Sequence, residues 1–329
     1  MMIACVLRDP RTGAGARRPT VVHDLIVSTL SAGPVGFADL LNHTNATLLS
    51  MATRQDGTIL KPAATALRVE RYYKPAPLGG QELWTAVTGP AGSADSASDA
   101  RANSAAQLGE KDGTSGNGTT WWWSVFATQV DGGLPSGAPL QIAELWPRPR
   151  HGTQLLVSLV QGTTTTGGNT PGPGRVCVNG SAATSCLTLW DASKPLPVGT
   201  TGAGADAPQP KQNFTLFAAA PILGNGWTLL GDLSKLVPCS PQRFVAPSVA
   251  AAPSDADLAS VAGHGLTFTV LGSAGELVAV SVVAPSKKIG SPLEGTVVVI
   301  DVVIGRGGST KVECETSLPV PTCVSVPSE

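Results

Sequence analysis

Leu266-Thr267-Phe268-Thr269-Val270-Leu271, then Leu277-Val278-Ala279-Val280-Ser281-Val282-Val283, then Thr296-Val297-Val298-Val299-Ile300-Asp301-Val302-Val303-Ile304, decide how this 329-residue chain folds. Side chains on a strand alternate between two faces, so a run rich in Val, Ile, Thr and Phe with period two makes a half-buried strand. Three such runs separated by Gly, Ser and Pro turns predict antiparallel strands of a β-sandwich.

Working backward, shorter runs of the same kind recur at Leu83 to Val87, Trp121 to Val130, Gln154 to Val160 and Leu187 to Trp190. The 38 glycines and 27 prolines favour short strands and turns over long helices, and the 42% hydrophobic content is enough for a core. Three stretches, near 89–118, 163–174 and 195–211, are rich in Gly, Ser, Thr, Ala and Pro and are expected as disordered insertions. Gly305-Arg306-Gly307-Gly308 lacks the Lys-Ser/Thr of a phosphate loop and is expected as a hairpin turn.

Net charge is −1 with 14% charged residues, so no basic field exists to attract nucleic acid or an anionic membrane. No apolar run reaches the 18 or so residues that span a bilayer, since Asp301 interrupts even the longest Val-rich stretch. The four histidines, His23, His43, His151 and His264, are scattered, and neither a metal site nor a cofactor is expected.

Cys177 and Cys186 enclose eight residues, as do Cys314 and Cys323; each pair suits a disulfide across neighbouring strands, and neither has the C-x-x-C spacing of a zinc site. Cys5 and Cys239 are left without an assigned partner. Asn-x-Ser/Thr acceptors for N-glycosylation occur at Asn42, Asn45, Asn117, Asn179 and Asn213. Disulfides and acceptors together point to a secreted or lumenal protein.

The beginning of the chain reads differently. Val21 to Leu30 is apolar and β-branched and is expected as a buried strand, Asn45 to Arg54 as a short helix, and Asp56-Gly57 as a turn. Gly33-Pro34-Val35-Gly36-Phe37-Ala38-Asp39, followed by Asp56-Gly57-Thr58-Ile59-Leu60-Lys61, resembles the end of the catalytic barrel in the raffinose synthase and alkaline α-galactosidase family. Pro221 to Asp232 and Ser240-Pro241-Gln242-Arg243-Phe244 look like segments of the β-domain of related glycosidase-like proteins.

The resemblance implies a mainly β chain in which residues 1–62 are the last strand and helix of a (β/α)8 barrel and residues 63–329 are a C-terminal antiparallel β-sandwich. Asp39, just past a barrel strand, would then bind a sugar hydroxyl near the cleft; the alternative is that it caps the following helix or stabilises its turn. Retaining glycosidases need two carboxylates about 5 Å apart. In the resembled family both come from earlier barrel strands, and a whole barrel takes about 250 residues. The expectation is therefore a C-terminal fragment without catalytic carboxylates of its own, its partners being carbohydrate and an upstream barrel of the same polypeptide. The opening Met1 to Asp9 has no basic region ahead of its apolar residues, so the export signal is expected on that upstream segment.

Trp121-Trp122-Trp123 could stack on pyranose rings, although alternation along a strand assigns at least one of these indoles to a core. Asp232 and Lys235 form an ordinary polar pair with no assigned role. Two other readings stand beside the fragment: a stand-alone extracellular β-sandwich that binds glycans or protein partners, and a truncated, non-functional gene product.

Overall fold

The run Val21 to Leu30 is not a strand. In the computed structural model, which describes residues 3–5, 20–37, 44–69, 81–91, 121–129, 138–149, 152–161, 175–179, 184–191, 195–198, 214–249, 265–285, 296–316 and 321–329, it is a helix. Strand β1 (Ile3–Cys5) precedes this helix, α1 (Thr20–Leu30), and strand β2 (Val35–Phe37) follows it. Val21, Leu25, Ile26, Ser28, Thr29 and Leu30 are buried while Asp24 and Val27 face outward, which is the 3.6-residue stripe of a helix and not the alternation of a strand. The helix stops at Ala32, whose φ of 53° leaves the helical region ahead of Gly33-Pro34. β1 and β2 pair in parallel, Ile3 opposite Val35 and Cys5 opposite Phe37, so β1, α1 and β2 form a βαβ unit. Helix α2 (Ala46–Ala52) comes next, shorter than Asn45 to Arg54, with Asn45 as its N-cap accepting from the Leu48 N–H at 3.2 Å.

The remaining elements are strands β3 (Leu67–Arg68), β4 (Gln81–Thr88), β5 (Trp122–Gln129), β6 (Ala138–Leu140), β7 (Leu155–Gln161), β8 (Arg175–Asn179), β9 (Thr184–Trp190), β10 (Leu196–Val198), β11 (Phe214–Pro221), β12 (Thr228–Gly231), β13 (Phe244–Val249), β14 (Leu266–Leu271), β15 (Leu277–Ala284), β16 (Thr296–Val303), β17 (Ser309–Glu315) and β18 (Thr322–Pro327). Of the expected insertions, 195–211 begins with strand β10, and Gly89 to Ala91 are tied down by the Gly89 N–H to Cys239 carbonyl bond and a bridge from Ala91 to Val245. The rest of 195–211, with 92–118 and 163–174, lies outside the described residues.

Seven strands form one antiparallel sheet in the order β3-β4-β5-β11-β7-β9-β8. Leu83, Val87, Trp123, Val125, Phe217 and Val157 line one face, under Leu140 and Leu196 of the small β6–β10 ribbon. On the other face, Ala86, Phe126, Phe214 and Leu216 receive α1 through Val21, Leu25, Ile26 and Leu30. Farther along that face Trp122, Leu156 and Ala220 run into a different core.

That core is the interior of a β-sandwich. A three-stranded sheet, β12-β15-β16, lies over a four-stranded one, β13-β14-β17-β18. Val278, Val280, Val282, Ile300 and Val302 from the first meet Leu266, Phe268, Val270, Val312 and Cys314 from the second. The three C-terminal runs are thus borne out as antiparallel strands; burial alternates along β14 and the start of β15, whereas Val280 to Ala284 are buried throughout. Gly305 to Gly308 closes a turn through the Gly308 N–H to Gly305 carbonyl bond at 3.0 Å, but it is not a hairpin: it carries the chain from β16 in one sheet to β17 in the other. A β-carbon at Gly305 would collide with the Ser328 carbonyl, so this corner requires glycine.

Candidate functional site

Two stretches far apart in the chain, Asp56 to Lys61 and Ser240 to Phe244, touch. Beyond α2 the chain turns through Arg54 to Thr58, closed by the Arg54 N–H to Thr58 carbonyl bond at 2.9 Å, with Gly57 at φ 81°. Asp56 Oδ1 accepts from the Thr58 N–H at 2.9 Å, and its Oδ2 pairs with Arg54 Nη2 at 2.6 Å. This turn then docks on the β region. Arg54 Nη1 donates to the Gln242 carbonyl at 2.9 Å, the Lys61 N–H to Gln242 Oε1 at 3.0 Å, and Ser240 Oγ to the Lys61 carbonyl at 2.9 Å.

Behind these contacts lies a buried ion pair. Arg243 Nη2 sits 2.6 Å from Glu276 Oε1, with side-chain exposures of 1% and 8%. Glu276 Oε1 also accepts from the Gln55 N–H at 3.2 Å and Oε2 from the Ser273 N–H at 2.9 Å, while Arg243 Nη1 donates to the Leu271 carbonyl at 2.8 Å. One carboxylate therefore ties the N-terminal turn to β13 and to the loop before β15. A second tie runs from α2, where the Met51 carbonyl accepts from the Leu236 N–H at 2.9 Å and the Ser50 carbonyl from Lys235 Nζ at 2.7 Å.

The electrostatics fit a joint. Burial pushes the Glu276 carboxyl up, but the hydrogen bond and charge of Arg243 and the Ser273 and Gln55 amides outweigh it and hold the group below the ordinary range. Asp56 is likewise held low, the Thr58 hydrogen bonds and Arg54 overcoming desolvation. Lys235 is lowered by burial, opposed by the charge of Asp232. A carboxylate saturated with donors stays ionised, which suits a structural anchor and is the opposite of what a general acid needs.

Of the residues singled out by sequence, Asp39, Asn42, Asn117 and Asn213 lie outside the described residues. Asn45 is exposed at its helix cap, and Asn179 ends β8 opposite Thr184. Trp121, Trp122 and Trp123 are 9%, 2% and 2% exposed, so none of these three indoles presents a face on which a sugar could stack. Trp122 Nε1 donates to the Leu229 carbonyl at 2.7 Å and Trp123 Nε1 to the Pro147 carbonyl at 3.3 Å. Cys314 and Cys323 are bonded, Cys177 stands opposite Cys186 in the β8–β9 register, and Cys239 is a buried free thiol, pushed well up by desolvation. Asp232 is buried and accepts from Ser234, and its neighbour Lys235 reaches α2, so this pair belongs to the joint.

The ion pair itself was missed in the sequence, though one signal marks it. Glu276 has the parity of Val278, Val280 and Val282, so a strand pattern that buries those residues also turns a lone acid inward. Among the described residues no cluster of His, Cys, Asp and Glu could hold a metal ion. No protein-family model, no curated protein sequence and no solved structure matches this chain.

Proposed function

We propose that this chain is the C-terminal part of a glycoside hydrolase-like protein acting on α-galactoside-type sugars, supplying the end of a (β/α)8 barrel and the β region behind it while the catalytic carboxylates lie on other strands. The observation that carries this reading is the parallel pair β1–β2 joined through α1. Parallel strands occur in sheets covered on both faces and built from several βαβ units. A pair of three-residue strands is too small to stand alone, so it calls for further parallel strands alongside. Under this reading β2, not the Val21 to Leu30 run, is the last barrel strand, and Asp39 follows its C-terminal end where barrel enzymes bind substrate. The joint then fixes the barrel end to the β region. The Cys314–Cys323 bridge favours the secretory setting in which such a protein would work.

A second reading, a stand-alone extracellular β protein that binds glycans or protein partners, draws support from α1, whose apolar stripe is covered by the seven-stranded sheet. The native protein's mass separates the two, measured by immunoblot with an antibody to the β14–β17 region after enzymatic removal of N-glycans. The first reading expects a band well above the 33.3 kDa of this chain. A band at that mass sinks it and turns attention to glycan-binding assays on the isolated protein.

A further inference from the structure

Both large antiparallel sheets end in a strand with a cysteine in register with another on the neighbouring strand. β8 is the outermost strand of the seven-stranded sheet and sets Cys177 opposite Cys186; β18 is the outermost strand of the four-stranded sheet and sets Cys323 opposite Cys314. At β18 the consequences can be followed in detail. None of its six residues is buried: Thr322, Val324, Val326 and Pro327 are exposed, and Cys323 is the residue of this strand that packs against the sandwich core. Its bonded partner Cys314 is 1% exposed and belongs to that core. β18 is also held by its ladder with β17 and by Ser328, whose N–H and Oγ donate to the Ser309 carbonyl at 3.1 and 2.7 Å.

We propose that the Cys314–Cys323 disulfide is a redox latch for this edge strand, and that reduction by a dithiol releases β18 while the sandwich stays folded. A thiolate of the reductant attacks the half-buried Cys323 sulfur, the sulfur–sulfur bond breaks, and Cys314 leaves as a thiolate that takes up a proton. The reductant's second thiol then closes its own disulfide and frees Cys323 as a thiol. The protein gains two electrons and two protons, and the dithiol loses them. Release uncovers the edge of β17 from Ser309 to Glu315, a row of unpaired N–H and C=O groups able to accept an incoming strand. An unreduced protein keeps that edge closed.

The test is hydrogen exchange followed by mass spectrometry on the full chain, with and without dithiothreitol and without denaturant, with alkylation of Cys314 and Cys323 to score reduction. Closing so short a loop disfavours the open state on the order of fifty-fold, so the β18 amides that donate to β17 are expected to exchange about that much faster after reduction while β14 and β15 keep their protection. Cys323→Ser should show the fast exchange without reductant. The latch is overturned if the bridge resists reduction in the native protein, if 322–327 stays protected once reduced, or if β14 and β15 lose protection together with it.

Discussion

Replacing Glu276 by alanine tests the joint most directly. Arg243, 1% exposed, would keep its charge and lose its partner at 2.6 Å, and the amides of Gln55 and Ser273 would lose their acceptor. Stranding one member of a buried ion pair costs about 3–5 kcal/mol, because the remaining charge stays desolvated without compensation. With a urea slope of about 3 kcal/mol per molar, the midpoint should fall by about 1 M or more. The instructive control is Arg243→Met combined with Glu276→Leu. Apolar replacement of both partners is commonly neutral or stabilising by about 1–4 kcal/mol, so the double variant should recover most of the loss in the core that already holds Phe244, Val278 and Ile304. Equilibrium urea unfolding followed by tryptophan fluorescence reads both variants. A single-variant loss below about 1 kcal/mol, or a double variant as unstable as the single, would refute the reasoning that this pair is buried and mutually dependent.

Acid should weaken the same joint. Glu276 and Asp56 are both held below their ordinary values of 4.5 and 3.8, so their contribution is complete above those values and is lost as pH falls through the depressed folded-state values; urea midpoints should drop below about pH 4.5, less steeply in Glu276→Ala. Asn45→Ala removes the side-chain cap of α2 and should cost about 1 kcal/mol, whereas Asn45→Asp keeps the acceptor and should stay within a few tenths, both measurable by thermal unfolding. Gly231→Ala meets a φ of 85° and a collision with the Pro238 carbonyl, so it should lose more than the 1 kcal/mol or so of a left-handed alanine, read from the urea midpoint.

Strands were legible wherever one face met a core and the other met solvent. β14 reproduces the Leu266 to Leu271 run, and β15 and β16 begin at Leu277 and Thr296, where the other two runs begin. A continuous apolar run carries no such signal. Val21 to Leu30 has the β-branched content of a strand, yet Asp24 within it has no place in a strand buried on both faces, while the spacing of Val21, Leu25 and Ser28 suits a helix lying on a sheet. The tryptophan run fell between these cases. Alternation correctly assigns Trp122 to one face and its neighbours to the other, but no local pattern announces that α1, the sandwich and the β6–β10 ribbon cover both faces.

What the residue pattern could not reveal was convergence over long separations. Gln55 and Glu276 are 221 residues apart and Arg54 and Gln242 188, and each contact joins a backbone group to a side chain, which leaves no pairing of charges or apolar residues to read. The same contacts explain why two short segments sit so far apart in the chain without drifting independently. The turn at Asp56 is polar, and by itself its Thr58 and Arg54 bonds would compete with water; set against Gln242 and the desolvated Arg243–Glu276 pair, its amides have fixed acceptors. The placement of α2 is thus set by its contacts with the β region. Gln242→Ala, which takes the acceptor from the Lys61 N–H, should therefore loosen the turn while β14 and β15 stay intact, read as faster amide exchange over 54–61 with unchanged protection of the sandwich strands.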